Sequence, residues 1–273
     1  MERKKALVTG GSRGIGRGIV VCLARAGYDV VFSYNSKEEE AIETKQMAEN
    51  AGGTCYYHQA SLENPGVGQE LVHTAIRELG GLDLLVNNAG ITVFESILDL
   101  SWENVQRLTN LDFLNYLFMA KEAAGYMVEH KVHGSIINIT SSRGQRAYPE
   151  DAVYGGIKAA INRASQSMAL DLAPYKIRVN CVAPGAICIR TAEELKAENR
   201  TELLGFWEQL GPRIPMERNG TPEDIGNAVV WLADDKAGYI TGEVLRVDGR
   251  LILAGMPEMI EPGQTDWGGK KRG

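Results

Sequence analysis

A tyrosine and a lysine four residues apart are the first candidates for chemistry in this sequence. They are Tyr154 and Lys158, and on a helix this spacing places both side chains on one face, one turn apart. A tyrosine in water has a pKa of about 10, too high for a general base near neutrality. Lowering such a value by about three units takes about 4 kcal/mol of phenolate stabilisation, to which a neighbouring ammonium contributes. The pair therefore predicts acid–base chemistry, although taken alone the pattern is more typical of a surface pair.

Hydroxyl and guanidinium groups precede this pair. Ser141 stands thirteen residues before Tyr154, directly after an apolar run. Because parallel α/β sheets bind ligands at the carboxyl ends of their strands, Ser141 could hydrogen-bond a substrate carbonyl and the Tyr154 hydroxyl. Ser142 is the rival for this role, but it is more simply interpreted as a turn or cap residue. Arg143 would favour an anionic or hydroxyl-rich substrate if it faces the cleft. The alternative is that Arg143 caps the loop or crosses a subunit interface.

Short apolar runs alternate with longer amphipathic stretches along the chain. Leu84–Val86 and Ile136–Ile137 are apolar without interruption, which is typical of strands buried on both faces of a parallel sheet. The alternation predicts an α/β fold, a doubly wound parallel Rossmann sheet of about seven strands with helices on both faces. The predicted strands are Ala6–Thr9, Asp29–Tyr34, Thr54–Gln59, Leu82–Asn87, Ser135–Thr140, Ile177–Val182 and Val244–Val247. The predicted helices include Gly14–Ala26, Lys37–Ala51, Gly66–Leu79, Trp102–Glu129, Ala152–Leu172 and Pro222–Ala233.

No Pro- or Ser-rich linker divides the chain, so residues 1–273 are predicted to form a single domain. Two segments break the alternation of strands and helices. Long connections of this kind are often lids or interface arms. We therefore expect a substrate loop at about 187–215 and a C-terminal extension at about 250–273.

The first predicted strand is followed by a glycine-rich segment, Thr9–Gly16. Gly10 can turn the strand, Gly14 can let a pyrophosphate approach, and Gly16 can pack the next helix on the sheet. The helix that begins near Gly14 would present free N–H groups and the positive end of its dipole to phosphate. Because a strand precedes the glycines and a helix follows, a dinucleotide site is favoured over an ordinary glycine-rich turn.

The end of the second predicted strand bears on which dinucleotide binds. Folds that bind NAD usually carry an acid there for the ribose 2′-OH. This strand ends in Tyr34–Lys37 and has no carboxylate before Glu38. A 2′-phosphate would instead meet Ser36, Lys37 and Arg13, which predicts a preference for NADP(H), with NAD as the alternative. The competing interpretation is that Lys37 is a solvated first-turn residue and that Arg13 covers only the adenine.

Taken in order, these motifs resemble the classical short-chain dehydrogenase/reductase family over essentially the whole span from 4 to 249. Thr9–Gly16 resembles the family's TGxxxGxG cofactor loop, and Asn87–Gly90 its NNAG motif. The family's catalytic tetrad is matched by Asn110, Ser141, Tyr154 and Lys158, and further similarity lies at Arg178–Gly185, Pro222–Ile225 and Tyr239–Gly242. One departure is Ser61-Leu62, which follows the third strand where the family usually has an acid.

The resemblance implies an oxidoreductase that transfers a hydride between a nicotinamide cofactor and a carbonyl/secondary-alcohol substrate. Tyr154 would be the general acid in reduction and the general base in oxidation, while Lys158 would hold the nicotinamide ribose and stabilise the phenolate. Asn110 would support a proton-relaying water. The expected substrate-binding residues are Ser141, Arg143 and Tyr154. The expected cofactor-binding residues are Gly10, Ser12, Arg13, Gly14, Ile15, Gly16, Tyr34, Asn35, Ser36, Lys37, Ser61, Leu62, Asn88, Ala89, Gly90, Tyr154, Lys158, Pro184, Gly185 and Ile187.

The sequence constrains the identity of the substrate less than it constrains the cofactor. Tyr34–Glu38 and the extension past Gly249 resemble sugar dehydrogenases of the glucose 1-dehydrogenase type, so a sugar or other polar hydroxy compound is expected. The general pattern also resembles 3-oxoacyl-[acyl-carrier-protein] reductases, and hydroxysteroid dehydrogenases are a further alternative. Docking of an acidic carrier protein would require basic residues around the opening of the cleft. At the candidate positions for such residues the sequence supplies only Lys131 and Lys176. A catalytically idle dinucleotide-binding sensor or scaffold is the non-enzyme alternative, against which the intact tetrad argues.

The composition narrows the class of partner. Lys plus Arg number 29 against 35 Asp plus Glu, a formal net charge of −6, so no general attraction to nucleic acid or anionic membranes is expected. The chain has neither the roughly 20-residue apolar run of a membrane span nor the apolar core of a signal peptide, which predicts a cytoplasmic protein. Neither the four cysteines nor the four histidines show metal-binding spacing, so no metal is predicted. The predicted partners are a small-molecule substrate and, by resemblance, further copies of the chain in a tetramer or dimer.

Overall fold

Seven parallel strands form one sheet in the order β3-β2-β1-β4-β5-β6-β7. The computed structural model describes residues 3–197 and 199–253, so most of the extension predicted at 250–273 lies outside the described residues. The strands are β1 Lys4–Val8, β2 Tyr28–Tyr34, β3 Cys55–Gln59, β4 Leu84–Asn87, β5 Ser135–Ile139, β6 Arg178–Pro184 and β7 Val244–Val247. The predicted fold class, a doubly wound parallel α/β sheet, is confirmed.

Helices cover both faces of this sheet. They are α1 Gly14–Arg25, α2 Glu38–Asn50, α3 Val67–Leu79, α4 Trp102–Thr109, α5 Asn115–Glu129, α6 Ala152–Leu172, α7 Ala192–Ala197, α8 Glu202–Leu210 and α9 Pro222–Ala233. Alternate residues of a strand point to opposite faces, and β1 shows the consequence. Val8 packs with α1, α2 and α9 in one hydrophobic core, whereas Leu7 packs with α3 and α5 in the other.

The chain order places a crevice at the centre of the sheet. From β1 the chain builds outward through β2 to β3, then returns to place β4 on the other side of β1. Loops leaving β1 and β4 therefore diverge, which opens a crevice at the carboxyl ends of these strands. The predicted functional segments after β1, β4 and β5 all lie at this edge.

The helix predicted over Trp102–Glu129 is interrupted. Residues Asn110–Leu114 form a π-helical segment between α4 and α5, and Ser101 caps α4 by accepting a hydrogen bond from the Asn104 N–H. A π-helical turn carries an extra residue and so changes which side chains face inward. This segment decides which acidic or amide side chain reaches the site.

The predicted substrate loop at 187–215 also contains regular structure. It carries the short helices α7 and α8 and a 3-10 turn at Gly211–Arg213. Among residues 3–197 and 199–253, no helix has the length and apolarity needed to cross a membrane. Cys22, Cys55 and Cys181 are buried thiols, and Cys188 is partly buried; none of the four forms a disulfide.

Candidate active site

A cavity of about 440 Å³ lies in the crevice and runs from the glycine-rich loop to the Tyr154–Lys158 pair. Most of the residues predicted to bind the cofactor line it, namely Gly10, Ser12, Arg13, Gly14, Ile15, Gly16, Tyr34, Asn35, Ser36, Lys37, Leu62, Asn88, Ala89, Gly90, Tyr154 and Lys158. Lining residues that the sequence reasoning missed include Glu40, Ile91, Asp112 and Ile189. The structure thus brings the two predicted motifs, far apart in sequence, into one cavity.

The glycine-rich loop has the geometry that a phosphate cradle needs. Gly10 and Gly14 have φ values of +66° and +53°, in the left-handed region that favours glycine. A Cβ at Gly16 would lie 2.0 Å from the Gly10 carbonyl oxygen, so only glycine allows α1 to approach the loop this closely. Because α1 begins at Gly14, its N-terminus faces the cavity, and the residues present fit a dinucleotide pyrophosphate.

Asn88 holds this loop in place. Its side-chain amide donates to the carbonyl oxygens of Thr9, at 2.8 Å, and Gly10, at 3.1 Å. The Thr9 hydroxyl in turn accepts from the backbone N–H groups of Asn88 and Ala89. Asn88 therefore lines the cavity as predicted, but its side-chain donors are used to fix the loop after β1 against the loop after β4.

At the outer end of the cavity, three cations surround one carboxylate. Glu40 Oε1 lies 3.3 Å from Lys37 Nζ and 3.5 Å from Arg190 Nη1, and its Oε2 lies 3.8 Å from Arg13 Nε. Arg13 and Lys37 were predicted to meet a 2′-phosphate, whereas Glu40 and Arg190 were missed. The spacing of Lys37 and Glu40 at i and i+3 could have suggested their contact, but no sequence signal places Arg190 here. Three cationic side chains thus lie within 4 Å of the Glu40 carboxylate.

At the inner end, Lys158 is buried among polar and aromatic groups. Its Nζ lies 3.0 Å from Asp112 Oδ2, 3.4 Å from the Ile139 carbonyl oxygen, and 5.1 and 5.5 Å from the ring centroids of Tyr116 and Tyr154. Burial alone lowers the pKa of Lys158, but Tyr116, Asp112 and Tyr154 raise it by more, so the net pKa lies above its usual value. Lys158 is therefore a cation beside the Tyr154 ring, as the helical spacing predicted.

Asn110, predicted as the amide of the tetrad, is not brought to this cluster. Its Oδ1 accepts a hydrogen bond from Gln106 Nε2 at 3.0 Å, and it does not line the cavity. Asp112, two residues further on, is fully buried and lies against Lys158 instead. Side chains two positions apart point to nearly opposite sides of a helical turn, so both could not face the site. The resemblance favoured Asn110 by residue type, and the sequence gives no signal for the π-helical segment that turns Asp112 inward.

Ser141 lies at the end of β5 and is nearly buried, at 9% exposure. Its hydroxyl oxygen accepts from the Arg143 N–H at 3.1 Å and so caps the 3-10 turn Ser142–Gly144. In this contact the Ser141 hydroxyl is the acceptor, so its own proton can be donated to another group. Ser141 is adjacent to the lining residues Ile139 and Thr140 but does not itself line this cavity.

The Arg143 guanidinium is held by aromatic rings and by a buried carboxylate. Its guanidinium lies 4.7 Å from the Phe94 ring centroid and 4.3 Å from that of Tyr148, and Nη1 lies 3.2 Å from Oδ2 of the buried Asp151. It does not line the cavity. The charge that was expected to attract an anionic substrate is taken up by Asp151, which agrees with the alternative interpretation of a residue that holds loops together.

Four further residues expected at the cofactor lie outside the lining: Ser61, Pro184, Gly185 and Ile187. The Ser61 hydroxyl donates to Asn35 Oδ1 at 3.2 Å, so it contacts a lining residue instead. Gly185 packs against Asp248, and Ile187 packs against Gly220. In place of Ile187, Ile189 covers the glycine loop, since a Cβ at Gly14 would lie 3.2 Å from Ile189 Cβ.

The fold and the cavity together define a dinucleotide-binding oxidoreductase. Residues 10–250 match a family model described as Enoyl-(Acyl carrier protein) reductase. The chain is 33% identical to Glucose 1-dehydrogenase 2 of Bacillus subtilis over 94% of this chain and 97% of that protein. It is 35% identical to 3beta-hydroxysteroid dehydrogenase 1 of Eggerthella lenta over 93% and 95% of the two chains.

A solved structure, the acetoin dehydrogenase YohF from Salmonella typhimurium, superposes with a TM-score of 0.85 at 31% identity and covers 94% of this chain and 99% of that one. The chain therefore belongs to the classical short-chain dehydrogenase/reductase family, whose members use nicotinamide cofactors.

Proposed function

We propose that this protein is an NADP(H)-preferring enzyme that interconverts a carbonyl compound and a secondary alcohol, with Tyr154 as the acid–base group. The single observation that carries the proposal is the cavity that joins the glycine-rich loop to Tyr154 and the buried Lys158 ammonium. When bound, the cofactor supplies or accepts the hydride. The chain supplies position and a proton at the Tyr154 hydroxyl.

The residues around the cavity would divide the work of binding the cofactor, orienting the substrate and moving the proton. The N-terminus of α1 and the glycine loop hold the pyrophosphate. Lys158, kept charged by its surroundings, stabilises the Tyr154 phenolate that forms as the proton leaves in reduction. The Ser141 hydroxyl, whose oxygen already accepts from Arg143 N–H, donates to the substrate oxygen and so orients it. In oxidation the same phenolate removes the proton from the alcohol.

The preference for NADP(H) is supported by the cluster at the outer end of the cavity. Three cationic side chains, those of Arg13, Lys37 and Arg190, lie within 4 Å of the Glu40 carboxylate at this end. A 2′-phosphate bound there would gain charge-assisted hydrogen bonds. The test is to compare kcat/KM with NADPH and with NADH, and equal values for both would contradict the preference.

The proposed substrate is an uncharged hydroxy or carbonyl compound, with a sugar or similar polar compound as the first candidate because of the similarity to Glucose 1-dehydrogenase 2. The ion pair of Arg143 with Asp151 supports an uncharged substrate. A hydroxysteroid is the second candidate, from the similarity to 3beta-hydroxysteroid dehydrogenase 1. Lys131 and Lys176 precede β5 and β6 and so lie at the sheet edge opposite the cavity, which argues against their forming a docking rim for a carrier protein.

A homo-oligomer is also proposed. Large apolar side chains are exposed on and next to α4 and α5, with Trp102 at 81% and Phe118 at 46% exposure. Their burial between copies of the chain would be favourable. Light scattering coupled to size exclusion measures the number of copies. The cytoplasmic location stays a prediction.

The variant that tests the enzymatic proposal is Tyr154→Phe. It removes the transferable proton but keeps the ring, so NADPH binding is expected to persist while turnover falls at least about a hundredfold. The assay is NADPH consumption across sugars, keto acids, acyl thioesters and steroids, with NADPH affinity measured by fluorescence. Wild-type turnover in this variant would contradict the role of Tyr154. No turnover by the wild type with any substrate class would favour the idle sensor or scaffold.

A further inference from the structure

Asp112 occupies a position that the predicted tetrad does not account for. Its carboxylate is fully buried, and its two oxygens have different neighbours. Oδ1 accepts from the Ile91 backbone N–H at 3.1 Å, whereas Oδ2 lies 3.0 Å from Lys158 Nζ without an aligned hydrogen bond among the described residues. A carboxylate in this setting needs the cation to offset the cost of its burial.

Surrounding elements hold Asp112 in place. The π-helical segment Asn110–Leu114 turns its side chain toward the end of β4. Gly90 leaves room for it, because a Cβ there would lie 2.6 Å from Asp112 Oδ2. Tyr116 lies beside Lys158, and its hydroxyl donates to the Ala89 carbonyl oxygen at 3.1 Å and to that of Ile139 at 3.3 Å. The carboxylate is thus built into the wall of the cavity beside Lys158.

We propose that Asp112 is a positioning residue for the Lys158–Tyr154 pair: it fixes the Lys158 ammonium and compensates its charge, so that the Tyr154 phenolate is stabilised less than it would be beside an uncharged residue 112. The inference rests on the proposed function in that it assigns the proton transfer to Tyr154. The inference itself concerns how strongly the surroundings of Tyr154 stabilise its phenolate. This stabilisation is measured by the pH at which the phenolate forms, without an assay of turnover.

The groups that face Lys158 support this charge balance. They are Asp112 from the π-helical segment, Tyr116 from α5, Tyr154 from α6 and the Cys181 thiol from β6, while β5 contributes the Ile139 carbonyl. Burial raises the pKa of Tyr116, and it raises the pKa of Cys181 to about 11. Neither group carries charge near neutrality, so Asp112 supplies the negative charge that offsets Lys158.

The sign of the effect follows from the charges. With Asp112 ionised, its negative charge offsets that of Lys158, so the pair attracts the phenolate less strongly than the ammonium alone would. Asp112→Asn keeps the size and the acceptor for the Ile91 N–H but leaves the ammonium uncompensated. We expect phenolate formation at Tyr154, and with it the rise of the alcohol-oxidation rate with pH, to move to lower pH by about one unit.

The experiment is a tyrosinate titration followed by near-ultraviolet absorbance. The signal of Tyr154 is the difference between the full-length protein and Tyr154→Phe, and it is measured again in the Asp112→Asn background. Asp151→Asn is the matched control, since it also converts a buried, cation-paired aspartate to its amide but at Arg143. The pH dependence of alcohol oxidation is recorded in parallel.

The expected result is that the tyrosinate signal of Tyr154 appears about one pH unit lower in Asp112→Asn than in the wild type. In Asp151→Asn it is expected at the same pH as in the wild type. A signal at the same or a higher pH in Asp112→Asn overturns the proposal, as does an equal shift in the control.

If Asp112→Asn does not fold, Asp112→Glu retains the charge and is expected to titrate like the wild type with a lower maximal rate. A shift of about one unit to lower pH in Asp112→Glu overturns charge compensation. Failure of the acid–base role is seen separately, as unchanged turnover in Tyr154→Phe.

Discussion

The two ends of the cavity each combine carboxylate and cationic side chains, but in different proportions and at different depths. At the inner end one buried acid, Asp112, faces one buried base, Lys158, at 3.0 Å. At the outer end one acid, Glu40, faces Lys37, Arg13 and Arg190 at 3.3 to 3.8 Å, and the side chains of Arg13 and Lys37 are more than half exposed. The inner end is thus a single buried ion pair, whereas the outer end brings three cationic side chains to one carboxylate.

Burial explains why similar charges serve different purposes. In the interior an uncompensated charge is costly, so an acid and a base must be matched there. Near solvent the cost of an imperfectly compensated charge is smaller. The comparison therefore predicts that removing one cation has unequal effects on the two ends.

The largest effect is expected for Lys158→Met. It leaves Asp112 buried without its cation, and the free energy of unfolding should fall by about 3–5 kcal/mol. Urea unfolding followed by circular dichroism measures it. Adding Asp112→Asn should restore at least about half of the loss, because it removes the orphaned charge. Lys37→Met is the matched change at the outer end and should cost less than about 1 kcal/mol. Equal losses for the two single variants would remove the distinction between the ends.

The next effect concerns the choice of cofactor. Lys37→Asp reverses one charge of the outer cluster, so the ratio of kcat/KM with NADPH to that with NADH should fall at least about tenfold, or about 1.4 kcal/mol. Lys45→Asp on the same helix is the control, because Lys45 pairs with Glu49 and does not line the cavity. If Lys37→Asp left the ratio as in the wild type, the cluster would not be the 2′-phosphate site.

The smallest effect is expected for a third pair, away from the cavity. Asp224 caps α9 with Thr221 and accepts two hydrogen bonds from Arg218, at 2.7 and 2.8 Å. Chiefly through Arg218, the pKa of Asp224 is lowered from 3.8 to about 2. Its stabilisation is therefore complete above about pH 4 and is lost as the pH falls through about 2. Asp224→Asn should cost about 0.5 kcal/mol at neutral pH, measured by urea unfolding, and nothing below pH 2. A cost that persisted below pH 2 would exclude the charge as its cause.

Much of the fold was predictable because its signals are local. The apolar runs from Leu84 and from Ile136 predicted buried parallel strands, and both strands are present in the sheet. The glycines at 10, 14 and 16 each mark a backbone requirement that acts within a few residues. Tyr154 and Lys158 share a face because α6 is regular between them.

The parts of the site that escaped prediction depend on contacts between distant segments. Glu40 lines the cavity and pairs with Arg190, which is 150 positions further along the chain. Arg143, expected at the substrate, is instead held by Phe94, Tyr148 and Asp151. Such partners are brought together by the packing of separate loops, which periodicity does not encode.

The sequence by itself determined the order of strands and helices, the glycine-rich loop and the tyrosine–lysine pair, since each follows from backbone preference and spacing within one element. Only the tertiary structure decided that Asp112, rather than Asn110, faces Lys158. That choice depends on a π-helical segment, whose extra residue per turn is stabilised by the surrounding packing and leaves no regular periodicity in the residues that form it.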